Sequence, residues 1–330
     1  MNDPTFSFIV IGRDEQSCQI ALNSINRIDY PRELYEILLA IGNCPSLQRN
    51  SAAAKAKGKF LIFLDNDSSA DHRLLRQYLE AFHYFPNASV VGGPSLYEEQ
   101  SNLFLFAIQC VFASVFGTGP YRSRYTPIGR IRLSGEQELI LCNLLISREA
   151  FLKHKGFNVN LYPNEENEFL NRIQNSEVIA YHPQAIVFRE PRKTFGDFVR
   201  QMINYGAGRF KHYTVNHRYL NLFFFIPLFF TLYILSLPFV LSQGDLFYLL
   251  YGIPIFIYIW FNIAASAFSV LSNKNYKTFF YTFLLFFTCH FFYGFGILVG
   301  FYRYFAENKV SGPSTNVDIR IIKEMTVHES

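Results

Sequence analysis

Five cysteines occur in 330 residues, at 18, 44, 110, 142 and 289, and no two of them stand in a C-x-x-C or other metal-ligand spacing. This excludes a thiolate metal centre and a disulfide-stapled framework, and leaves buried thiols as the expectation. No secretory leader is expected either. "FSFIVIG" is too short for its apolar core, and Asp3 before it and Arg13 and Asp14 after it are out of character, so the stretch reads as a first core strand. Nor is there a large excess of one charge. The 30 Lys and Arg against 26 Asp and Glu leave a net +4, gathered beside the apolar runs described next. Anionic lipid, and no nucleic acid, is the expected counterpart.

Asp, Glu, Lys and Arg are absent from three long runs, Tyr219–Leu241, Leu246–Leu271 and Phe279–Tyr302. Each exceeds the roughly 20 apolar residues a bilayer-spanning helix needs, so three transmembrane helices are expected. Pro227, Pro238 and Pro254 are tolerable inside them, because neighbouring helices re-satisfy the backbone. With no charged residue inside the runs to mark a pathway, a transporter is poorly supported. Seven Lys or Arg against two acids lie between Arg189 and Arg218, Lys274 and Lys277 lie in the second connection, and the first, "SQGD", has only Asp245. Positive charge favours the inner side. The N-terminal part is therefore expected in the cytoplasm, on the inner face of a multi-pass membrane protein, with the tail after Tyr302 outside.

Before Tyr219 the pattern alternates. Phe6–Ile11, "YEILLAIG", "KFLIFLDND" and "SVVGGP" read as strands, and Ser17–Ile28, "NSAAAKAKG" and "DHRLLRQYLEAFHYF" as helices. Strands alternating with helices imply a parallel α/β sheet. In such sheets ligands bind beyond the carboxyl ends of the strands, where Asp65 and Asp67 follow the apolar run Phe60–Leu64. Residues two apart on an extended segment share a face, so both carboxylates can reach one point. Hard divalent cations take one or two carboxylates plus substrate phosphates, which suggests a metal-bound diphosphate.

Taken together, "FIVIGRDE", "SINRIDYPRELYEILLAIG" and "QRNSAAAKAKGKFLIFLDNDS" resemble, in order, the opening blocks of the family-2 glycosyltransferases. "NEENEFLNRI" is similar to the family's acidic-pair block, and "RQMINYGAGR" to its Q-x-x-R-W region in membrane-attached members. The resemblance covers about Ser7 to Arg209. It implies an α/β fold, the GT-A nucleotide-diphospho-sugar transferase (Rossmann-like) domain, followed by a C-terminal α-helical transmembrane region of about three helices. The expected partition is 1–96 for the nucleotide-sugar half, 97–195 for the acceptor half, 196–218 for a juxtamembrane helix, 219–302 for the membrane helices and 303–330 for a tail.

The resemblance also implies roles. Asp65 contacts the donor, and Asp67 with Asp65 holds a divalent metal, Mg²⁺ or Mn²⁺. Arg13, Glu15, Arg49 and Asn50 surround the nucleotide. Glu165 and Glu166 match the catalytic acid pair, with Glu166 as base. Gln201, Tyr205 and Arg172 lie on the acceptor side. Two departures stand out: no acid follows the second strand in "AIGNCPSLQRN", and Q-x-x-R-W becomes Gln201, Asn204, Tyr205.

A general base is useful to a hydroxyl acceptor and unnecessary to a phosphate. The implied activity is an inverting, metal-dependent transfer of a sugar from a nucleotide-diphospho-sugar to a hydroxyl of a lipid-linked or membrane glycan, in surface polysaccharide or glycolipid synthesis. A polyprenyl-phosphate glycosyltransferase and a catalytically silent nucleotide-sugar-binding scaffold remain alternatives. "NLFLFAIQCVFASVFG", Asn102–Gly117, is apolar nearly all round yet short for a span, and Arg122, Arg124, Arg130 and Arg132 follow it. An interfacial helix with Arg122 and Arg124 gripping an anionic carrier is the expectation there.

Overall fold

The structure, a computed structural model, describes residues 5–97, 99, 101–215, 222–240, 245–306 and 317–325. The ends of the first expected span (219–221 and 241), residues 242–244 of its following loop, and Lys309 lie outside the described residues. The chain divides into two compact units: residues 1–97, 123–190 and 311–330 form one, and 98–122 with 191–310 the other.

The first unit is an α/β/α sandwich. Its strands are β1 (Phe6–Gly12), β2 (Tyr35–Ile41), β3 (Phe60–Asp65), β4 (Ser68–Ala70), β5 (Ala88–Gly92), β6 (Ser95–Leu96), β7 (Arg132–Leu133), β8 (Leu144–Ser147), β9 (Val178–Tyr181), β10 (Val187–Arg189) and β11 (Asp318–Lys323). The helices between them are α1 (Gln19–Ile25), α2 (Pro45–Lys55) and α3 (Leu74–Tyr84), and then, beyond an excursion into the second unit by α4 (Leu103–Ala113) and α5 (Val115–Thr118), α6 (Arg148–Lys153) and α7 (Glu165–Ile173). The main sheet has the order β11-β2-β1-β3-β8-β5-β9-β7, and β4-β10-β6 form a small second sheet.

Alternate residues of β1 serve opposite faces, as strand geometry requires. Phe6, Phe8 and Val10 join a core with Leu22, Ile25, Leu74 and Tyr78, while Ile9 and Ile11 join another with Ala52, Ala53, Phe151 and Phe169. Both faces are covered, which explains why β1, β2 and β3 are almost unbroken apolar runs. The chain passes from β1 outward to β2 and returns to β3 on the other side of β1, with Ile11 paired to Asp65. That reversal is a switch point, and it opens the crevice into which the ends of β1 and β3 project.

Three elements differ from the sequence expectation. Helix α2 starts at Pro45, five residues before the Ala-rich stretch, because Cys44 is extended and proline suits a first helical position; Arg49 and Asn50 are thereby carried inside the helix. Strand β8 inserts antiparallel between β3 and β5, so the sheet is mixed instead of parallel. The third difference is β11. It pairs antiparallel with β2, from Asp318 opposite Ile41 to Lys323 opposite Ile37. Lys323 Nζ donates to the carbonyls of Arg32 and Tyr35 and sits 4.0 Å from the Tyr35 ring centre.

The second unit contains α4 and α5 together with α8 (Phe195–Val215), α9 (Ile226–Val240), α10 (Asp245–Asn273) and α11 (Phe279–Ala306). Three helical segments are long and apolar enough to cross a membrane: Phe223–Val240, Tyr251–Asn273 and Tyr276–Ala306. They leave Phe239, Trp260, Phe268 and Phe280 exposed, the surface that lipid covers in a spanning helix. Helices α8 and α11 touch backbone to backbone. A Cβ added at Gly296 would lie 2.2 Å from the Ile203 carbonyl oxygen, and one at Gly300 2.9 Å from Ala207 Cα, so this G-x-x-x-G spacing packs α8 without a side chain in between. The expected interfacial helix Asn102–Gly117 is broken at Ser114, and its two arms meet at a 69° bend.

A bilayer cannot pass through one hydrogen-bonded sheet. The tail strand β11 therefore lies on the side of β1 to β3, which corrects the expectation that it lies opposite. An impermeant thiol reagent applied to intact cells should accordingly treat cysteine probes at Arg13 and at Glu324 alike, both protected or both labelled. One of each would contradict the pairing of β11 with β2.

Candidate active site

Asp65 ends β3 and Asp67 follows in the turn to β4, both partly exposed at the mouth of the crevice. Arg49, one turn into α2 and 4% exposed, places its guanidinium beneath them. Its Nη2 donates to Asp65 Oδ1 at 2.6 Å and its Nη1 to Glu165 Oε1 at 2.8 Å. Glu165 opens α7, so one buried cation joins the β3 acid to an acid a hundred residues later in the chain. Burial pushes Glu165 up to about 7, against the pull of Arg49. Burial also opposes the charge on Arg49, yet Asp65 and Glu165 hold it above its ordinary value. Below them Cys142 is fully buried and its thiol is raised to about 11 by burial; it stays neutral.

Glu166 is the next residue of α7. It is partly exposed, with Arg124 Nη1 4.0 Å away. Asn164, just before the helix, takes φ 95°, a left-handed conformation that asparagine tolerates better than most residues, and it accepts a hydrogen bond from Asn167 at 2.8 Å.

The other side of Asp65 meets a residue that the sequence offered only as part of a basic cluster. Strand β10 pairs with β4 so that Arg189 stands opposite Ser68. Its guanidinium spans both acids: Nη1 is 3.2 Å from Asp65 Oδ2, Nε 3.0 Å from Asp67 Oδ1, and Nη2 donates to Asp67 Oδ2 at 3.2 Å. Even so, Asp67 Oδ1 is buried and accepts no well-directed hydrogen bond. Two convergent carboxylates, one with an underused oxygen, fit a hard divalent cation that draws its remaining ligands from phosphate and water. Among the described residues no group of three or more His, Cys, Asp or Glu forms a closed cage.

A profile described as glycosyl transferase family group 2 matches residues 60–270, more than half of the chain. The chain belongs to that family. No curated protein sequence matches it. Among solved structures, the mannosyltransferase PcManGT from Pyrobaculum calidifontis, in complex with GDP-Man and Mn²⁺, is 12% identical, with 93% of this chain and 89% of that one covered and a TM-score of 0.57. TarS 1-349 from S. aureus, in complex with UDP, is 12% identical over 96% of each chain at a TM-score of 0.45. Another TarS structure is 13% identical over 60% of this chain, at a TM-score of 0.43, and the chain spans 38% of its length. At such identity the mannosyltransferase supports the GT-A fold, and the two TarS likenesses are too loose to add to it.

The glycosyltransferase uses several of the expected site residues otherwise. Asn50 spends its amide on Phe157, donating to the carbonyl at 2.8 Å and accepting from the N–H at 2.9 Å. It thereby ties α2 to the loop before the acid pair. Gly156 makes room for it, with φ 63° and a Cβ position 2.6 Å from Asn50 Oδ1. Arg172 is held by Glu168 at 2.8 Å and by the carbonyls of His154 and Gly156, so it closes the same loop. Arg124 is buried among Glu136, Gln137 and Asn167, with Glu166 4.0 Å away. Arg132 pairs with Glu138, and Arg130 is exposed.

Arg13 and Glu15 are exposed after β1, and Glu15 Oε2 meets Arg320 of β11 at 3.0 Å. In the second unit Arg122 is half-buried, and Gln201 donates to the Tyr205 hydroxyl at 2.8 Å one turn along α8.

Proposed function

We propose that the chain is an inverting glycosyltransferase that moves a sugar from a nucleotide-diphospho-sugar to a hydroxyl of a membrane-associated, lipid-linked glycan, with its catalytic unit in the cytoplasm. One observation carries the reading. Arg49 bridges Asp65 and Glu165, so the D-x-D turn and the acid pair belong to one site, with a donor pole and an acceptor pole. The family match and the GDP-Man and Mn²⁺ complex of the mannosyltransferase support the donor class. The three long apolar helices support an acceptor that resides in the membrane.

In this reading Asp67 and Asp65 hold Mg²⁺ or Mn²⁺, which supplies charge neutralisation for the departing diphosphate. Arg49 fixes Asp65 Oδ1 from below, and Asp65 Oδ2, beside Arg189, is the oxygen on the donor side. Glu165 is committed to Arg49 and acts by position. Glu166, next along α7 and free of Arg49, takes the proton from the acceptor hydroxyl as the oxygen attacks the anomeric carbon from the face opposite the diphosphate. A base on the attacking side and a leaving group on the other give inversion.

Replacing Asp67 with Asn keeps the shape but removes a charged oxygen. Calorimetry with UDP or GDP and Mn²⁺ should show nucleotide affinity falling about 10- to 100-fold, the scale of a lost charged contact. An unchanged affinity would remove Asp67 from the donor site.

A further inference from the structure

We infer that Arg189 is a resident counter-cation of the D-x-D pair, which a metal–diphosphate complex displaces and which then pairs with the diphosphate. The inference rests on the reading of Asp65 and Asp67 as the donor pair, and names what controls entry to it. Arg189 lies in none of the five sequence blocks that carry the family resemblance. It is the last residue of a three-residue strand, and the register of β10 with β4 sets it beside the Asp65–Asp67 turn.

Its three contacts engage three of the four carboxylate oxygens of the pair. The fourth, Asp65 Oδ1, is taken by Arg49. A divalent cation on the same two acids needs those oxygens, and a guanidinium cannot share them with it, since like charges at that distance repel strongly in a partly buried site. Occupation by the metal therefore requires Arg189 to let go. The acids are 19% and 32% exposed and Arg189 24%, so the pair is neither locked in a dry core nor fully solvated, which suits an exchangeable contact.

Charge counting gives the direction of the exchange. In the donor-free site Arg189 is paired with both Asp65 and Asp67, while Arg49 is shared between Asp65 and Glu165. A free metal ion entering alone has to expel a balanced cation. A metal ion entering with a nucleotide diphosphate brings its own anion, and the released guanidinium gains a phosphate to bind, the geometry in which arginine is strongest. Metal and nucleotide should then bind synergistically, with Arg189 as the source of the synergy.

The test is Mn²⁺ binding to the purified full-length protein, followed by electron paramagnetic resonance of free Mn²⁺, with and without UDP or GDP. Arg189→Gln should bind Mn²⁺ alone about tenfold more tightly than wild type, while the enhancement of nucleotide affinity by Mn²⁺ shrinks by a similar factor. Arg189→Lys, which keeps a charge but cannot span both acids, should fall between, and an intermediate Lys variant also guards against misfolding as the cause. Synergy in the wild type that is unchanged in both variants would overturn this inference alone. Nucleotide binding by the wild type that needs no metal would overturn the metal reading of the D-x-D pair and this inference with it.

Discussion

Glu166→Gln should reduce sugar transfer by about 10² to 10⁴ while nucleotide binding with Mn²⁺ stays within about twofold of wild type, the loss expected of a general base. The side chain is next to Glu165 in the chain yet differs from it in every relevant respect. Glu165 is 1% exposed and hydrogen-bonded to Arg49, whereas Glu166 keeps 13% of its side chain exposed and approaches a cation no closer than the 4.0 Å to Arg124. Gln preserves size and can still hydrogen-bond, so packing and donor contacts survive and the ability to accept a proton does not. Turnover with lipid-linked acceptors beside calorimetry of the nucleotide separates the two effects. Near-normal transfer by the variant would point to an acceptor that is already an anion, and the phosphate-acceptor alternative would replace the hydroxyl one.

Arg49→Met should lower the stability of the first unit by roughly 3–5 kcal/mol, the cost of leaving buried acids without their cation. The guanidinium serves Asp65 and Glu165 at once. Asp65 keeps Arg189 as a second partner, so the stranded group is Glu165. A second change, Glu165→Leu, should recover much of the loss, because an apolar pair of similar volume often replaces a buried ion pair at little cost. Chemical unfolding in detergent measures both. A loss below about 1 kcal/mol for Arg49→Met, or no recovery in the double variant, would mean that the bridge does not hold α2 and α7 together.

The core of the fold could be read from the residues because its strands are buried on both faces and its helices obey a 3.6-residue period. Phe6–Ile11 and Phe60–Leu64 have no other plausible state. What could not be read depended on partners distant in the chain. "LLIS" at β8 is a four-residue apolar run that periodicity cannot distinguish from a piece of helix. "DIRIIK" at β11 alternates charge and apolar residues as an edge strand does, but lies beyond the membrane helices with its partner β2 near the other end of the chain. The site was legible where a motif lies within one element, as at Asp65 and Asp67. Arg189 was hidden in a basic segment that looked juxtamembrane, and its place came only from the β10–β4 register. Asn50, Arg124 and Arg172 carried the right chemistry for ligands, but neighbouring carbonyls and carboxylates already use it.

The pairing of β11 with β2 also sets an order of assembly. Until the residues after the last helix of the second unit have been made, β2 is an open edge whose backbone N–H and C=O groups can recruit another strand. The sheet therefore stays unfinished until the end of synthesis, and a chain that loses its final residues carries an adhesive border running from Ile37 to Ile41. The C-terminal strand thus acts as a seal made last: a chain that lacks it leaves the β2 edge exposed to aggregation and proteolysis.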